Sequence, residues 1–222
     1  KLNLKIQKNT VCGLLGPNGA GKSSIFHSIL GIVKPTFGKI FVDGVEVTNI
    51  PTHKRTSMCG ISWCPQYGGA FADLSVFENL MAIAELHIKE KEKRLSKINS
   101  LIRRFELENV VKLPSKILSG GQQRKLILAM ALIKDTKILI LDEPYSALDP
   151  VSVKMIQQLI VSLQMFERIS IVISDHNFRD LLSTVDYSMV LSEGKIVAKG
   201  SPNELVKDSQ AIAKYFGEGF QY

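Results

Sequence analysis

Apolar residues recur along this chain at two periods, two and about 3.6, and the alternation between them outlines the elements. Leu2, Leu4 and Ile6 alternate with Asn3 and Lys5, which predicts a half-buried strand. Residues 10–15, "TVCGLL", predict a short apolar strand running into Gly16, and "GKSSIFHSILGIV" a helix that ends near Gly31. "GKIFVDGVEV" predicts a hairpin with Asp43-Gly44 at its turn, because both positions tolerate positive φ. "GISWCPQ" then predicts a strand that leads to Gln66.

From Leu74 to about Leu113 the period becomes helical, as in Leu95, Ile98, Leu101, Ile102 and Phe105. Pro114 and Ser115 interrupt it, and Ser119-Gly120-Gly121 opens another helix expected to reach Ile133. "KILILDEP" predicts an apolar strand ending in two acids. A helix over 151–166, the strand "SIVISDH" and a helix from Phe178 follow. A polar hairpin around "SEGKIVAKG" and a helical segment to Tyr222 complete the chain. Buried strands alternating with helices predict an α/β fold with a parallel-sheet core. The expected organisation is a single domain over 1–222: a core from 1–66 and 136–222, with a helical subdomain over about 67–135 inserted between its parts.

Composition narrows the class. A chain of 222 residues, 45% hydrophobic and 22% charged, has ordinary globular content and room for one large domain. The densest apolar run, Ile138 to Leu141, stops at Asp142 and Glu143, far short of a bilayer span. Lys1 to Thr10 alternates and lacks the apolar block of a signal peptide. The three cysteines, Cys12, Cys59 and Cys64, have no metal-ligand spacing and are expected to be reduced thiols in the cytoplasm. The net charge of +7 suits nucleic acid, anionic headgroups or simple solubility. It is dispersed, apart from "KEKEKR" at 89–94, which two glutamates interrupt.

The chemistry enters with Gly16, Pro17, Asn18, Gly19, Ala20, Gly21, Lys22 and Ser23, "GPNGAGKS", followed by Ser24. This is the P-loop pattern in its required context, strand before and helix after. Glycines let successive N–H groups curl around phosphate oxygens, and the helix N-terminus adds favourable dipole charge. Lys22 is expected to reach the β- and γ-phosphates of ATP, and the Ser23 hydroxyl to bind Mg²⁺. "ILILDE" supplies the other half: an apolar strand brings Asp142 to its C-terminal end, where parallel sheets bind ligands. Asp142 is expected in the Mg²⁺ shell and Glu143 as base or orienter for the attacking water. Two acids ending a strand are a weak signal alone and a strong one beside a P-loop.

"LSGGQ" at Leu118–Gln122 resembles the signature of ATP-binding cassette (ABC) ATPases, and the other motifs of that family occur in family order. Gln66 comes first, then the signature, then Asp142-Glu143, "SALD" at Ser146–Asp149, and His176. The resemblance implies a P-loop NTPase (RecA-like) parallel-sheet core with an antiparallel β subdomain and an inserted helical subdomain. It implies an ATP-dependent, head-to-tail homodimer in which Ser119, Gly120, Gly121 and Gln122 of one copy close over ATP on the P-loop of the other. Asp149 would line the dimer seam, His176 would bond the γ-phosphate beside Glu143, and Gln66 would join the Mg²⁺ ligands to the helical subdomain. In the family an aromatic residue upstream of the P-loop stacks on adenine. The first aromatic here is Phe26, after it, so no stacking residue is assigned and the N-terminus is expected to be incomplete.

A single cassette without a membrane span would need transmembrane permease subunits, and would sit peripherally on the cytoplasmic face of the inner membrane. "YGGAFADLSVFENL", 67–80, resembles the region that receives such subunits, with Phe71, Leu74, Val76 and Phe77 as candidate groove residues. "SDHNFRDLLSTVDY" and the tail residues Tyr215, Gly217, Glu218 and Phe220 are similar to the ATP-binding subunits of lipopolysaccharide exporters. Ala72 and Asp73 depart from the basic residues expected in that groove. The ATP-binding subunits of branched-chain amino-acid importers share the same features and stand as the alternative reading. A soluble ABC ATPase of nucleic acid fits less well, because such members carry long coiled coils or two cassettes per chain. The interval from Gln66 to Ser119 shows no sustained heptads, so no direct nucleic-acid partner is expected.

Overall fold

The computed structural model describes residues 2–217. Strand β1 (Val11–Leu15) passes through a glycine-rich loop into helix α1 (Lys22–Leu30). Strands β2 (Phe41–Val42) and β3 (Val45–Glu46) pair antiparallel. Their turn has φ 48° at Asp43 and 81° at Gly44, the left-handed pair of a two-residue hairpin. Helix α2 (Thr52–Cys59) and β4 (Ile61–Cys64) come next, then α3 (Val76–His87), α4 (Lys91–Arg104) and α5 (Gly120–Ala131). The chain returns to the sheet with β5 (Ile138–Asp142), α6 (Pro150–Glu167), β6 (Ser170–Ser174), α7 (Phe178–Leu182), β7 (Tyr187–Ser192) and β8 (Lys195–Gly200). Short helical turns at Pro202–Leu205, Ser209–Ala211 and Ile212–Phe216 follow.

The main sheet has the order β4-β5-β6-β1-β7-β8, parallel throughout except where β8 pairs antiparallel with β7. Both faces are covered, which is why the strands read as unbroken apolar runs. Alternate residues point to opposite faces. Leu15, Leu139, Leu141, Ile171 and Ile173 pack with α3, α5 and α6. Leu14, Ile140, Val172 and Met189 pack with Ile25, Phe26 and Leu30 of α1.

One buried charge braces the second face. Arg55 is 1% exposed. Its guanidinium donates to the carbonyls of Ser28 and Ile29, at the negative end of α1, and to those of Thr48 and Ile50. Gly31 caps α1 with φ 80°, and a Cβ there would lie 2.8 Å from the Arg55 guanidinium carbon, so that position needs glycine twice over.

Two expectations change. Residues 2–7 form no ladder, although Leu4 and Ile6 still pack against the second core, so their alternation reflects one-sided burial rather than strand pairing. The polar hairpin near 192–200 forms as expected, β7 and β8 pairing antiparallel across a turn at Glu193-Gly194, while all six residues of β7 are buried because it also pairs with β1. The helix from Phe178 forms and spans five residues, but α5 ends at Ala131 rather than Ile133. Cys12 and Cys64 are buried free thiols whose pKa burial pushes up to about 12, while Cys59 is half-buried. Glu218 and Phe220 of the tail lie outside the described residues.

Candidate active site

β4, β5, β6 and β1 are adjacent and parallel, so their C-terminal ends share one edge, where such sheets bind ligands. Gln66 stands two residues beyond β4, Asp142 ends β5 with Glu143 next, His176 follows β6, and Gly16 follows β1.

The loop from Gly16 hugs the sheet before it opens. Gly16 has φ 147°, and a Cβ there would come within 2.3 Å of the Leu191 carbonyl oxygen, so only glycine lets the chain leave β1 in this direction. Pro17, Asn18 and Gly19 are exposed and Ala20 is buried beneath them. Gly21, left-handed at φ 106°, is the N-cap of α1, whose first turn carries no acid. The positive end of the helix thus faces the loop with no acid of its own first turn against it, and Ser23 and Ser24 are exposed there. The Lys22 ammonium donates to the carbonyls of Gly16 at 2.7 Å and Pro17 at 3.1 Å. Burial pulls its pKa down, while Glu143 and Asp142 pull it back up.

The acids facing that loop are held off their ordinary pKa. Burial raises Asp142, against opposing hydrogen bonds from Ser174 and Ser23 and the charges of His27 and Lys22. Burial likewise raises Glu143, with the His176 charge opposing it and those of Asp175 and Asp142 adding to it. Glu143 has φ 49°, a conformation that costs a non-glycine residue roughly 1–3 kcal/mol. Its surroundings hold it there. Its amide donates to the Ser174 carbonyl at 2.6 Å, Gln66 Nε2 donates to Oε2, and His176 Nε2 meets Oε1 at 2.5 Å. Both carboxylate oxygens are therefore gripped, one by the segment after β4 and one by the segment after β6.

Two residues that the sequence reading passed over complete this frame. Arg124, 7% exposed, sends its guanidinium to the carbonyls of Pro65 (3.1 Å), Gln66 (3.4 Å) and Glu143 (3.2 Å), tying α5 to both segments. "QQRK" reads as a polar helix start, and nothing in the string reveals that Arg124 faces inward. Asp175 accepts from the amides of Tyr145 and Asn177, each at 2.9 Å, and so joins the stretch after Glu143 to the His176 segment. A signal for it did exist, since it too is an acid closing an apolar parallel strand. Arg124→Met should cost about 2–4 kcal/mol in denaturant unfolding, because several buried carbonyls lose their donor. It should also lower kcat for ATP hydrolysis more than it raises KM. Unchanged unfolding and kinetics would contradict the tie.

The signature residues stand apart. Ser119 is the N-cap of α5: its Oγ accepts from the Gln122 amide at 3.3 Å and its own amide donates to Gln122 Oε1 at 3.0 Å, a closed capping box. Gly120 and Gly121 lie against the stretch that opens α6, where a Cβ on Gly121 would come within 2.7 Å of Ser152 Oγ. Asp149 is the N-cap of α6 through the Val151 and Ser152 amides, both at 3.0 Å. Among the described residues, no hydrogen bond or ion pair joins Ser119–Gln122 or Asp149 to the loop at Gly16–Ser24.

A cleft of about 280 Å³ lies between α1, α2 and β4 on one side and α3 and α5 on the other. Its walls include Trp63, Gly69, Ile83, His87, Ile127 and Met130. None of the expected groove residues is among its walls: Phe71 is exposed, Leu74 and Phe77 are half-buried, and Phe77 packs on the core. Val76 is fully buried in the core and offers no surface, which corrects its place among the groove candidates.

The family model described as ABC transporter matches residues 1–146. The chain belongs to the ABC transporter family. The cassette is 36% identical to the lipopolysaccharide export system ATP-binding protein LptB of Haemophilus influenzae, over 99% of this chain and 91% of that protein. Among solved structures it resembles CbiO1 of Clostridium perfringens, part of the cbiONQ complex, with 29% identity, a TM-score of 0.83, and 96% and 85% of the two chains covered. A dimeric bacterial ABC transporter cassette shares the fold at 24% identity and a TM-score of 0.81, covering 90% of this chain and 89% of that one. The cassette is an ATP-binding ATPase subunit of a transporter. No helix among its described residues is long and apolar enough to cross a membrane.

Proposed function

We propose that this cassette powers lipopolysaccharide export, from the cytoplasmic face of the inner membrane and through permease subunits seated at the cleft. The observation that carries this reading is the correspondence with LptB over nearly the whole of both chains. The decisive experiment is affinity purification of the full chain from its native membranes, followed by reconstitution of whatever membrane polypeptides accompany it. ATP-driven release of lipopolysaccharide from those vesicles supports the reading. Uptake of branched-chain amino acids, or bound RNA in place of membrane subunits, overturns it.

In this reading the Gly16–Ser23 amides and the N-terminus of α1 bind the phosphates of ATP. Lys22, now bonded to two loop carbonyls, turns its ammonium to the β- and γ-phosphates. Ser23 and Asp142, with Gln66, are hard oxygen donors of the kind Mg²⁺ takes alongside phosphate oxygens and water. Mg²⁺ rarely uses a closed protein cage, and among the described residues no cluster of three or more His, Cys, Asp and Glu forms one. When bound, the ion would offset phosphate charge. Glu143 takes a proton from the attacking water, with Gln66 and His176 aiming its carboxylate. The amides at the start of α5, which share no hydrogen bond with their own loop among the described residues, serve a second copy: Ser119, Gly120, Gly121 and Gln122 close over its nucleotide, with Asp149 at the seam.

Lys22→Ala removes a charge-assisted contact of the sort that contributes about 1.5–3 kcal/mol. ATP affinity measured by calorimetry should fall by about 10–100-fold. An unchanged isotherm would contradict the role given to Lys22.

A further inference from the structure

We propose that His27 is a positioning residue, transmitting the state of the nucleotide site to the cleft through its ring contact with Trp63. The inference rests on the reading of Gly16–Ser23 as the nucleotide site and extends it to residues outside that motif.

His27 lies four residues after Ser23 on α1, one turn along the same helix face. Its imidazole meets the Trp63 indole edge-on, with ring centroids 5.8 Å apart and planes at 85°, the favoured geometry for an aromatic pair. Trp63 belongs to β4 and pairs with Ile140, two residues before Asp142. Its indole lines the cleft. The indole nitrogen is buried with no hydrogen-bond partner among the described residues, so packing alone sets the orientation of that ring. His27 also stands close enough to Asp142 that its charge opposes the upward pull of burial on that carboxyl. One imidazole is therefore within electrostatic reach of the acid that ends β5 and in ring contact with an indole of the cleft wall whose position no hydrogen bond secures.

A phosphate and cation bound at Lys22, Ser23 and Asp142 would change the field and packing on His27, and the indole would move with it. Coupling of this kind is reciprocal, so an occupant pressing on Trp63 would alter nucleotide affinity by the same factor.

Trp63 is the sole tryptophan of the chain, so its fluorescence is a direct report. The full chain is titrated with ADP and Mg²⁺, following indole emission while calorimetry records binding in parallel. In the wild type the emission should change and saturate with the binding isotherm. His27→Ala should still bind ADP but lose most of that change, and His27→Phe, which restores an edge-on ring, should recover it. If His27→Ala proves unfolded by circular dichroism, His27→Gln replaces it with the same expected loss. The proposal is overturned if the ring-deleted variant responds like wild type, or if His27→Phe stays silent. It is overturned equally if wild-type emission is flat while calorimetry shows saturation, an outcome that leaves the nucleotide site intact. No binding heat in the wild type would remove both the site reading and the link.

Discussion

Glu143→Gln is expected to bind ATP as the wild type does and to lose at least ~10²-fold in turnover, the usual contribution of a positioned general base. The amide has nearly the shape of the carboxylate. The left-handed backbone at φ 49° and the amide bond to Ser174 should therefore persist. What disappears is the basic oxygen. Burial keeps the Glu143 pKa above the ordinary carboxylate range, which makes the group a better proton acceptor once ionised. With hydrolysis removed, the nucleotide-bound dimer should accumulate. Size exclusion with ATP and Mg²⁺ would show a dimer peak in the variant that the wild type loses as it turns over. Turnover near the wild-type rate would eliminate Glu143 as the base.

Ser119→Arg should abolish ATP-driven dimerisation. Its direct structural effect is loss of one N-cap, about 1 kcal/mol. Helix α5 should survive this, because Leu126, Leu128 and Ala129 are fully buried in the main core. The proposed effect in the dimer is much larger, since an arginine would occupy the space where the partner's nucleotide meets the α5 amides. Circular dichroism should be unchanged, while size exclusion in the Glu143→Gln background should show monomer only. Ser119→Ala separates the two effects: it loses the cap but leaves room for closure, and should still dimerise. A normal ATP-dependent dimer from the arginine variant would refute closure in trans.

Much of the site was legible before any coordinates. "GPNGAGKS" and "ILILDE" carry their own context, because a glycine loop between strand and helix, or two acids closing an apolar strand, constrains local geometry. Helix starts were legible for the same reason: Ser119 and Gln122 are spaced as a capping box, and one forms. The alternation in residues 2–7 misled because one-sided burial gives the same period as a paired strand. The hairpin of β7 and β8 was legible, whereas the middle position of β7 in the sheet was not, because it comes from pairing with β1, far away in sequence.

The sequence by itself determined the motifs, their order and the elements that carry them, since these depend on residues within a few positions of one another. Tertiary structure alone decided which of them meet. Gln66, Glu143 and His176 share one carboxylate only because the order β4-β5-β6 brings their strand ends together. Arg124 reaches Pro65, Gln66 and Glu143 only because α5 folds back across the sheet edge, and His27 touches Trp63 only because α1 packs over β4. Such contacts form between groups distant in the chain, through the burial of apolar faces that have no preference for which polar residues they carry along.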